Sequence, residues 1–142
     1  LTHQYTYAYG AVSPMDGLFI SLMLPQVNTD CMQVFINEVS VRCPRENIIM
    51  VIDGAGWHRS NELSLPDNIR FLPLPPYSPE LNPQEHIWDE LREKFFHNHA
   101  FESLDALEDR LVEGLVYLEE NPDKVSSITK WPWIINACSN AN

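Results

Sequence analysis

The segment NIIMVID, residues 47–53, is an uninterrupted apolar run of strand length that ends in Asp53. A strand with one buried face alternates apolar and polar residues, whereas a continuous apolar run is typical of a strand covered on both faces. A second run, NIRFLPL, with fewer apolar residues, follows at residues 68–74. The two runs predict a sheet with helices packed on its faces, and therefore an α/β fold.

The residues before these runs predict a hairpin and a helix. Gln4 to Val12 and Leu18 to Leu24 are strand-like segments on either side of the turn sequence SPMDG. A helix then begins after Asn28 or Thr29 and stops at Pro44. Its apolar face consists of Met32, Phe35, Ile36, Val39 and Cys43, which recur at helical spacing.

The residues after the runs predict further helices. One extends from Pro83 to about Phe96, with Ile87, Trp88, Leu91 and Phe95 directed inward. Another is capped by Ser103 and shows an apolar stripe made of Leu104, Leu107, Leu111, Leu115 and Leu118. A short last helix opens at Asn121-Pro122, and the tail WPWIINA is expected to pack as apolar core. The order of two strands, a helix, two strands and then helices predicts one domain over residues 1–142, a mixed sheet with covering helices.

Composition limits the classes of protein to which the chain can belong. The three cysteines form no CxxC pair, and no run of eighteen apolar residues is present. We therefore expect a cytoplasmic protein with no membrane segment. The formal net charge of −11 argues against general nucleic-acid binding by these 142 residues alone.

Asp53 is the first candidate for chemistry. It stands at the carboxyl end of the apolar strand, where sites gather in open α/β sheets. The glycines of GAG, residues 54–56, leave room for a ligand to approach the backbone. The alternative interpretation is that Asp53 only caps the turn after the strand.

Glu85 is the second candidate, in the first turn of the helix that begins after Asn82-Pro83. Free N–H groups and the helix dipole favour a carboxylate there, which is also a common structural arrangement. The preceding segment LPLPPYSPELNP, residues 72–83, holds five prolines that restrict the approach to the helix. Such rigidity suits a carboxylate that must be held in one place.

The blocks VIDGAGWHRS and LPLPPYSPELNPQEHIWDELREKFFHN resemble bacterial insertion-sequence transposases of the mariner-like superfamily. The resemblance extends over nearly the whole chain and implies a DDE endonuclease with an RNase H-like fold. It places the second catalytic acid at Asp53 and the third, inside the NPxE pattern, at Glu85. Gly54 stands where many relatives have asparagine.

The resemblance also implies the cofactor and the substrate. The complete site of such an enzyme holds two Mg²⁺ or Mn²⁺ ions, roughly 4 Å apart, which activate the nucleophile and neutralise the leaving oxygen. Carboxylate oxygens suit these hard cations, so Asp53 and Glu85 are the expected metal ligands. The proline-rich segment would then be a brace that brings Glu85 to face Asp53. The substrate is DNA at the ends of a mobile element.

One acid of the family pattern has no match. The first aspartate of the family ends a strand before the hairpin, and neither Asp16 nor Asp30 occupies such a position. The resemblance therefore implies a C-terminal portion of a transposase, without the first, central strand and without the N-terminal helix-turn-helix. We expect these 142 residues to be inactive alone, with DNA contacted through the full-length protein. Unpaired strand edges predict self-association, as a homodimer.

Five further residues are candidates for contacting DNA or for supporting the two acids. His58, Arg59, Arg92 and Lys94 are candidate DNA contacts, and His86 is a candidate for orienting Glu85. Each has an ordinary alternative as a surface, capping or packing residue.

Two other functions stay open at this point. One is a different metal-dependent hydrolase that uses Asp53, His58, Glu85 and His86; a histidine-bound Zn²⁺ would favour it. The other is a non-catalytic interaction module, the remnant of a dead mobile element.

Overall fold

The computed structural model describes residues 7–53, 60–74, 82–97 and 100–130. These residues fall into two compact units. The helical unit contains Gly10–Ser21 and the described residues from Pro83 onward, and the sheet unit contains the described residues of Gln4–Tyr9 and Leu22–Asn82. The prediction of a single domain is not tested by this division.

The predicted hairpin is present. Strand β1 is Tyr7–Val12 and strand β2 is Phe19–Leu24, whereas residues 4–6 of the predicted first strand lie outside the described part. The Gly17 N–H donates to the Ser13 carbonyl at 2.8 Å, and the Ser13 N–H donates to the Leu18 carbonyl at 2.9 Å. Gly17 has a φ of 75°, which glycine adopts without a steric penalty.

Helix α1, Thr29–Arg42, follows the hairpin in the sheet unit. The Asn28 side chain caps it by accepting a hydrogen bond from the Cys31 N–H at 2.8 Å, as the sequence predicts. Phe35, Ile36 and Val39 are buried on its inner face.

Strands β3 (Ile48–Asp53) and β4 (Ile69–Leu74) pair in parallel, with Ile48 opposite Ile69 and Asp53 opposite Leu74. Between them lies a short 3₁₀ turn at Ser60–Glu62. Asn68 fixes the end of α1 to the start of β4. Its amide nitrogen donates to the carbonyl of Cys43 at 2.9 Å, and its amide oxygen accepts from the Ser40 hydroxyl at 2.7 Å.

One face of the β3–β4 sheet is exposed. Ile49, Val51 and Leu72 expose 57%, 42% and 54% of their surface, whereas Ile52 and Ile69 are buried on the other face. The prediction that helices cover both faces is therefore wrong for this sheet. A continuous apolar run favours burial, but it carries no information about which element supplies the second layer.

The α/β class is confirmed, but the described strands do not join into one mixed sheet. They form two two-stranded sheets, β1–β2 and β3–β4. In the described part of the chain, no further strand lies between them to join the two. The RNase H-like arrangement stays a proposal.

The described residues of the helical unit form the helices α2 (Pro83–Leu91), α3 (Leu104–Glu120) and α4 (Pro122–Thr129). A π-helical turn at Arg92–Phe96 continues α2. Its core includes Ile87, Leu91, Leu115, Leu118 and Val125, all at most 3% exposed. No helix in the described ranges is long and apolar enough to cross a membrane.

The leucine stripe of α3 is buried only in part. Leu115 and Leu118 are buried, whereas Leu104 and Leu107 expose 47% and 37% of their surface. The Ser103 hydroxyl accepts from the Ala106 N–H at 3.1 Å, which confirms the predicted cap. The predicted apolar tail, residues 131–137, lies outside the described residues.

Candidate metal and DNA site

Asp53 is the last residue of β3, as the sequence predicts. The ladder with β4 fixes its backbone, because Asp53 is in register with Leu74. Both strands point their carboxyl ends the same way, so the connections that follow them leave from one edge of the sheet. This is the edge at which α/β proteins place their ligands. The Asp53 side chain lies outside the described part of the structure.

Glu85 lies in the first turn of α2, also as predicted, and is half-buried. The N–H groups of that turn and the positive end of the helix dipole stabilise a carboxylate in this position. A cation placed here would meet a half-buried carboxylate whose backbone is fixed by the first turn of α2.

A notch at Gly10 positions the start of α2. A β-carbon on Gly10 would lie 2.9 Å from Gln84 Nε2, 3.1 Å from the Trp88 ring and 3.1 Å from the Phe19 ring. Gln84 and Trp88 occupy positions just before and one turn after Glu85, so their packing against the hairpin fixes the turn that carries Glu85. Sequence reasoning missed Gly10; the available signal was a small residue inside a Tyr-rich strand.

Asp53 and Glu85 belong to different units, Asp53 to the sheet unit and Glu85 to the helical unit. The prediction that their carboxylates face each other is not tested and stays a prediction.

The candidate DNA contacts on the π-helical turn that continues α2 have acidic partners. Arg92 forms an ion pair with Asp89, and Lys94 Nζ lies 3.6 Å from Glu90 Oε2. Lys94 Nζ also donates to the Tyr117 hydroxyl at 3.0 Å, and this hydrogen bond raises the pKa of the lysine above its ordinary value.

The remaining candidates add little to the site. His86 is half-buried, and His58 and Arg59 lie outside the described residues. The geometry therefore adds no support for a basic DNA-binding patch at Arg92 and Lys94, because both cations are offset by nearby carboxylates.

Asp16 and Asp30 are the two aspartates nearest the hairpin. Asp16 lies in the hairpin turn, where its carboxylate accepts from the Leu18 N–H at 3.1 Å. Asp30 lies in the first turn of α1. Neither ends a strand, which agrees with the prediction that neither is the first catalytic acid.

Within the described ranges, no three or more His, Cys, Asp or Glu side chains are grouped so that they could hold a metal ion. The Asp53 side chain and His58 are not part of that set. The chemistry of the two carboxylates suits Mg²⁺ or Mn²⁺, which take oxygen ligands and keep several waters. Asp53 and Glu85 therefore fit such an ion by donor type.

Comparison with known proteins shows the family to which the chain belongs. The strand-end aspartate and the helix-start glutamate both lie within residues 2–108, which match the family of DDE superfamily endonucleases. The chain belongs to this family of DNA-acting enzymes, as the sequence predicts.

Among individual proteins, the chain is similar to the uncharacterized protein y4pE/y4sA of Sinorhizobium fredii. The two are 34% identical over 130 residues, which cover 91% of this chain and 96% of that protein. No solved structure matches the chain.

Proposed function

We propose that this chain is part of a transposase catalytic domain that cleaves and transfers DNA strands in a metal-dependent reaction. The observation that carries the proposal is the placement of two acids inside one family match. Asp53 ends a parallel strand and Glu85 opens a helix, and residues 2–108 match the DDE endonuclease family. Membership in this family supports DNA as the substrate, and an RNase H-like arrangement is the fold that we propose for the complete domain.

In this proposal, Asp53 and Glu85 are the metal ligands, and a complete site takes two Mg²⁺ or Mn²⁺ ions. The ions supply positive charge that offsets the charge developing on the phosphate and the leaving oxygen. The contribution of the chain is to hold the two carboxylates. The β3–β4 ladder fixes the backbone of Asp53, and the Gly10 notch fixes the helix turn of Glu85.

We further propose that the 142 residues do not cleave DNA by themselves. They contribute two of the three acids that the family pattern requires, and poor positioning in such a site costs on the order of 100-fold in rate. The net charge of −11 also opposes binding to a polyanion. Contact with the element ends would come through the full-length protein.

Titration with Mn²⁺, followed by amide NMR signals, tests the paired carboxylates in the chain itself. Mn²⁺ is paramagnetic and broadens the signals of nearby amides. We expect Ile52 at the end of β3 and His86 at the start of α2 to broaden together, at the same Mn²⁺ concentration, and Mg²⁺ to reverse the effect. Asp53→Ala or Glu85→Ala should each remove both responses.

Glu93→Ala is the matched control, because its carboxylate is 77% exposed on the turn that continues α2. This variant should broaden like the wild type. Broadening confined to one of the two positions, or broadening that survives Glu85→Ala, would contradict the shared site.

The same samples should not nick duplex DNA with Mg²⁺ or Mn²⁺. Metal-dependent nicking that persists in Glu85→Ala would overturn both the site and the mechanism.

A further inference from the structure

The outer face of α1 carries exposed valines at a seven-residue spacing. Val34 and Val41 expose 51% and 72% of their surface, and Val27, just before the helix, exposes 62%. Seven residues are about two helical turns, or about 10 Å, so Val34 and Val41 lie on one side of the helix. Phe35, Ile36 and Val39 occupy the other side and are buried. Helix α1 therefore carries apolar side chains on its outer side as well, and the sheet unit does not cover them.

A groove with fixed walls runs beside these valines. It has a volume of about 380 Å³ and is lined by Asn37, Ser40, Val41, Ser64, Leu65 and Pro66. Two hydrogen bonds join its walls: the Ser64 N–H donates to Gln33 Oε1 at 2.8 Å, and Gln33 Nε2 donates to the Ser64 carbonyl at 2.8 Å. The groove is thus a preformed, partly apolar surface next to Val41, and a side chain from another helix can enter it.

The charges around the valines are arranged for pairing with a second copy. Asp30 is exposed near the start of α1, and Arg45 is exposed just after its end. Among the described residues, neither has an ion-pair partner. A twofold axis midway between Asn37 and Glu38 would place Val34 opposite Val41 of the second copy. The same axis would place Asp30 opposite Arg45, at both ends of the contact.

We propose that the face formed by Val34, Asn37 and Val41 is a homodimer interface, on which α1 of a second copy packs antiparallel. Antiparallel helices also bring opposite ends of their dipoles together, which favours this orientation. One helix face makes a small contact. We therefore expect a weak dimer that buries less than about 1,200 Å² of accessible surface in total, as transient complexes do. Self-association is already expected from the sequence; the structure assigns it to this face and does so independently of the proposed enzymatic function.

The exposed β3–β4 face is the competing surface, since Ile49, Val51 and Leu72 are also uncovered. The register of these strands includes both Arg70 and Asp53, so the charges alone do not decide between this face and α1. The groove beside Val41 and the exposed Asp30 and Arg45 are the features that favour α1 as the surface that recognises a second copy.

Sedimentation velocity over a concentration series tests the proposal with the 142-residue chain. We expect a reversible monomer–dimer equilibrium for the wild type. Val34→Glu or Val41→Glu should weaken the dimer by ten-fold or more, because each places a charge in the apolar centre of the contact. Val112→Glu is the matched control, since Val112 is 42% exposed on α3, and it should dimerise like the wild type.

Charge reversal identifies the pairing itself. Asp30→Arg and Arg45→Asp should each weaken the dimer, because each creates two like-charge contacts, and the double variant should restore it. Circular dichroism checks that every variant keeps its helices. A wild type that is monomeric at all concentrations would overturn the proposal. So would a dimer that is indifferent to Val34→Glu and Val41→Glu, or a double reversal that fails to restore association. A dimer lost instead on Ile49→Lys would assign self-association to the sheet face.

Discussion

Gly17 is the position at which we expect a single methyl group to cost the helical unit most. Its φ of 75° lies in the left-handed region. A β-carbon there would lie 1.8 Å from the carbonyl oxygen of Pro122 and 2.7 Å from its carbonyl carbon. Both are backbone atoms at the first residue of α4, so no side-chain rotation can relieve the contact. Nearby, the Ser126 hydroxyl donates to the Pro14 carbonyl at 3.1 Å and ties the same turn to the same helix.

The loss in the free energy of unfolding that we expect for Gly17→Ala has three contributions. The left-handed backbone costs about 1–2 kcal/mol for a residue with a β-carbon. To reach a separation of 3.0 Å, the turn and α4 must move apart by 1.2 Å, the difference between 3.0 and 1.8 Å. That movement breaks the hydrogen bond from Ser126 to Pro14, worth about 1 kcal/mol, and disturbs core packing by about 1–3 kcal/mol. We expect a loss of about 3–6 kcal/mol in the free energy of unfolding.

Urea unfolding of Gly17→Ala and Gly17→Asn separates the two main causes. Asparagine tolerates the left-handed region but still carries a β-carbon. If the contact with Pro122 decides the cost, Gly17→Asn should be nearly as unstable as Gly17→Ala. Asp16→Ala is the control, because it removes only the hydrogen bond from Leu18 and should cost about 1 kcal/mol. A Gly17→Asn variant close to the wild type in stability would refute the steric argument.

Two further predictions concern buried positions. Gly114→Ala should destabilise the chain by about 1 kcal/mol, although alanine favours helices, because the new β-carbon would lie 2.6 Å from Leu91 Cδ2. A double-mutant cycle with Leu91→Val should show favourable coupling, and stabilisation by Gly114→Ala alone would contradict the packing. Burial raises the pKa of Tyr9, whose hydroxyl donates to the Gln26 carbonyl at 2.8 Å. The folded state therefore holds the Tyr9 proton more tightly than the unfolded state does. The stability that this proton contributes is fully present below about pH 10 and is lost as the pH rises further. Tyr9→Phe should remove that part of the alkaline loss and cost about 1 kcal/mol at neutral pH, which urea midpoints across the pH range would show. An unchanged alkaline slope in Tyr9→Phe would count against this assignment.

Local patterns predicted the local structure well. The cap at Asn28, the buried residues Phe35 and Ile36, and the turn at Gly17 all lie where the sequence places them. The same holds for Asp53 at a strand end. Each of these features depends on neighbours within a few residues. The periodicity of apolar residues, the capping residues and the turn residues are patterns of those same neighbours, so they predict such features directly.

Contacts between distant segments were not predictable in this way. The Gly10 notch depends on Gln84 and Trp88, which are more than seventy residues away in the chain. The exposure of Ile49 and Leu104 depends on which element covers them, and their own periodicity does not name it. For the same reason, the spacing of Asp53 and Glu85 along the sequence predicts two carboxylates but not their separation in space.

The boundary between the two units divides the hairpin, and this limits how the chain can be cut into fragments. The boundary between units falls between Tyr9 and Gly10 in β1, and between Ser21 and Leu22 in β2. Each unit is therefore discontinuous in the gene. A fragment that begins at Pro83 would lack Gly10, Phe19 and Gly17, so its helices would have no hairpin to pack against. Neither unit can be transferred to another protein as one continuous segment, because each takes part of its residues from the hairpin.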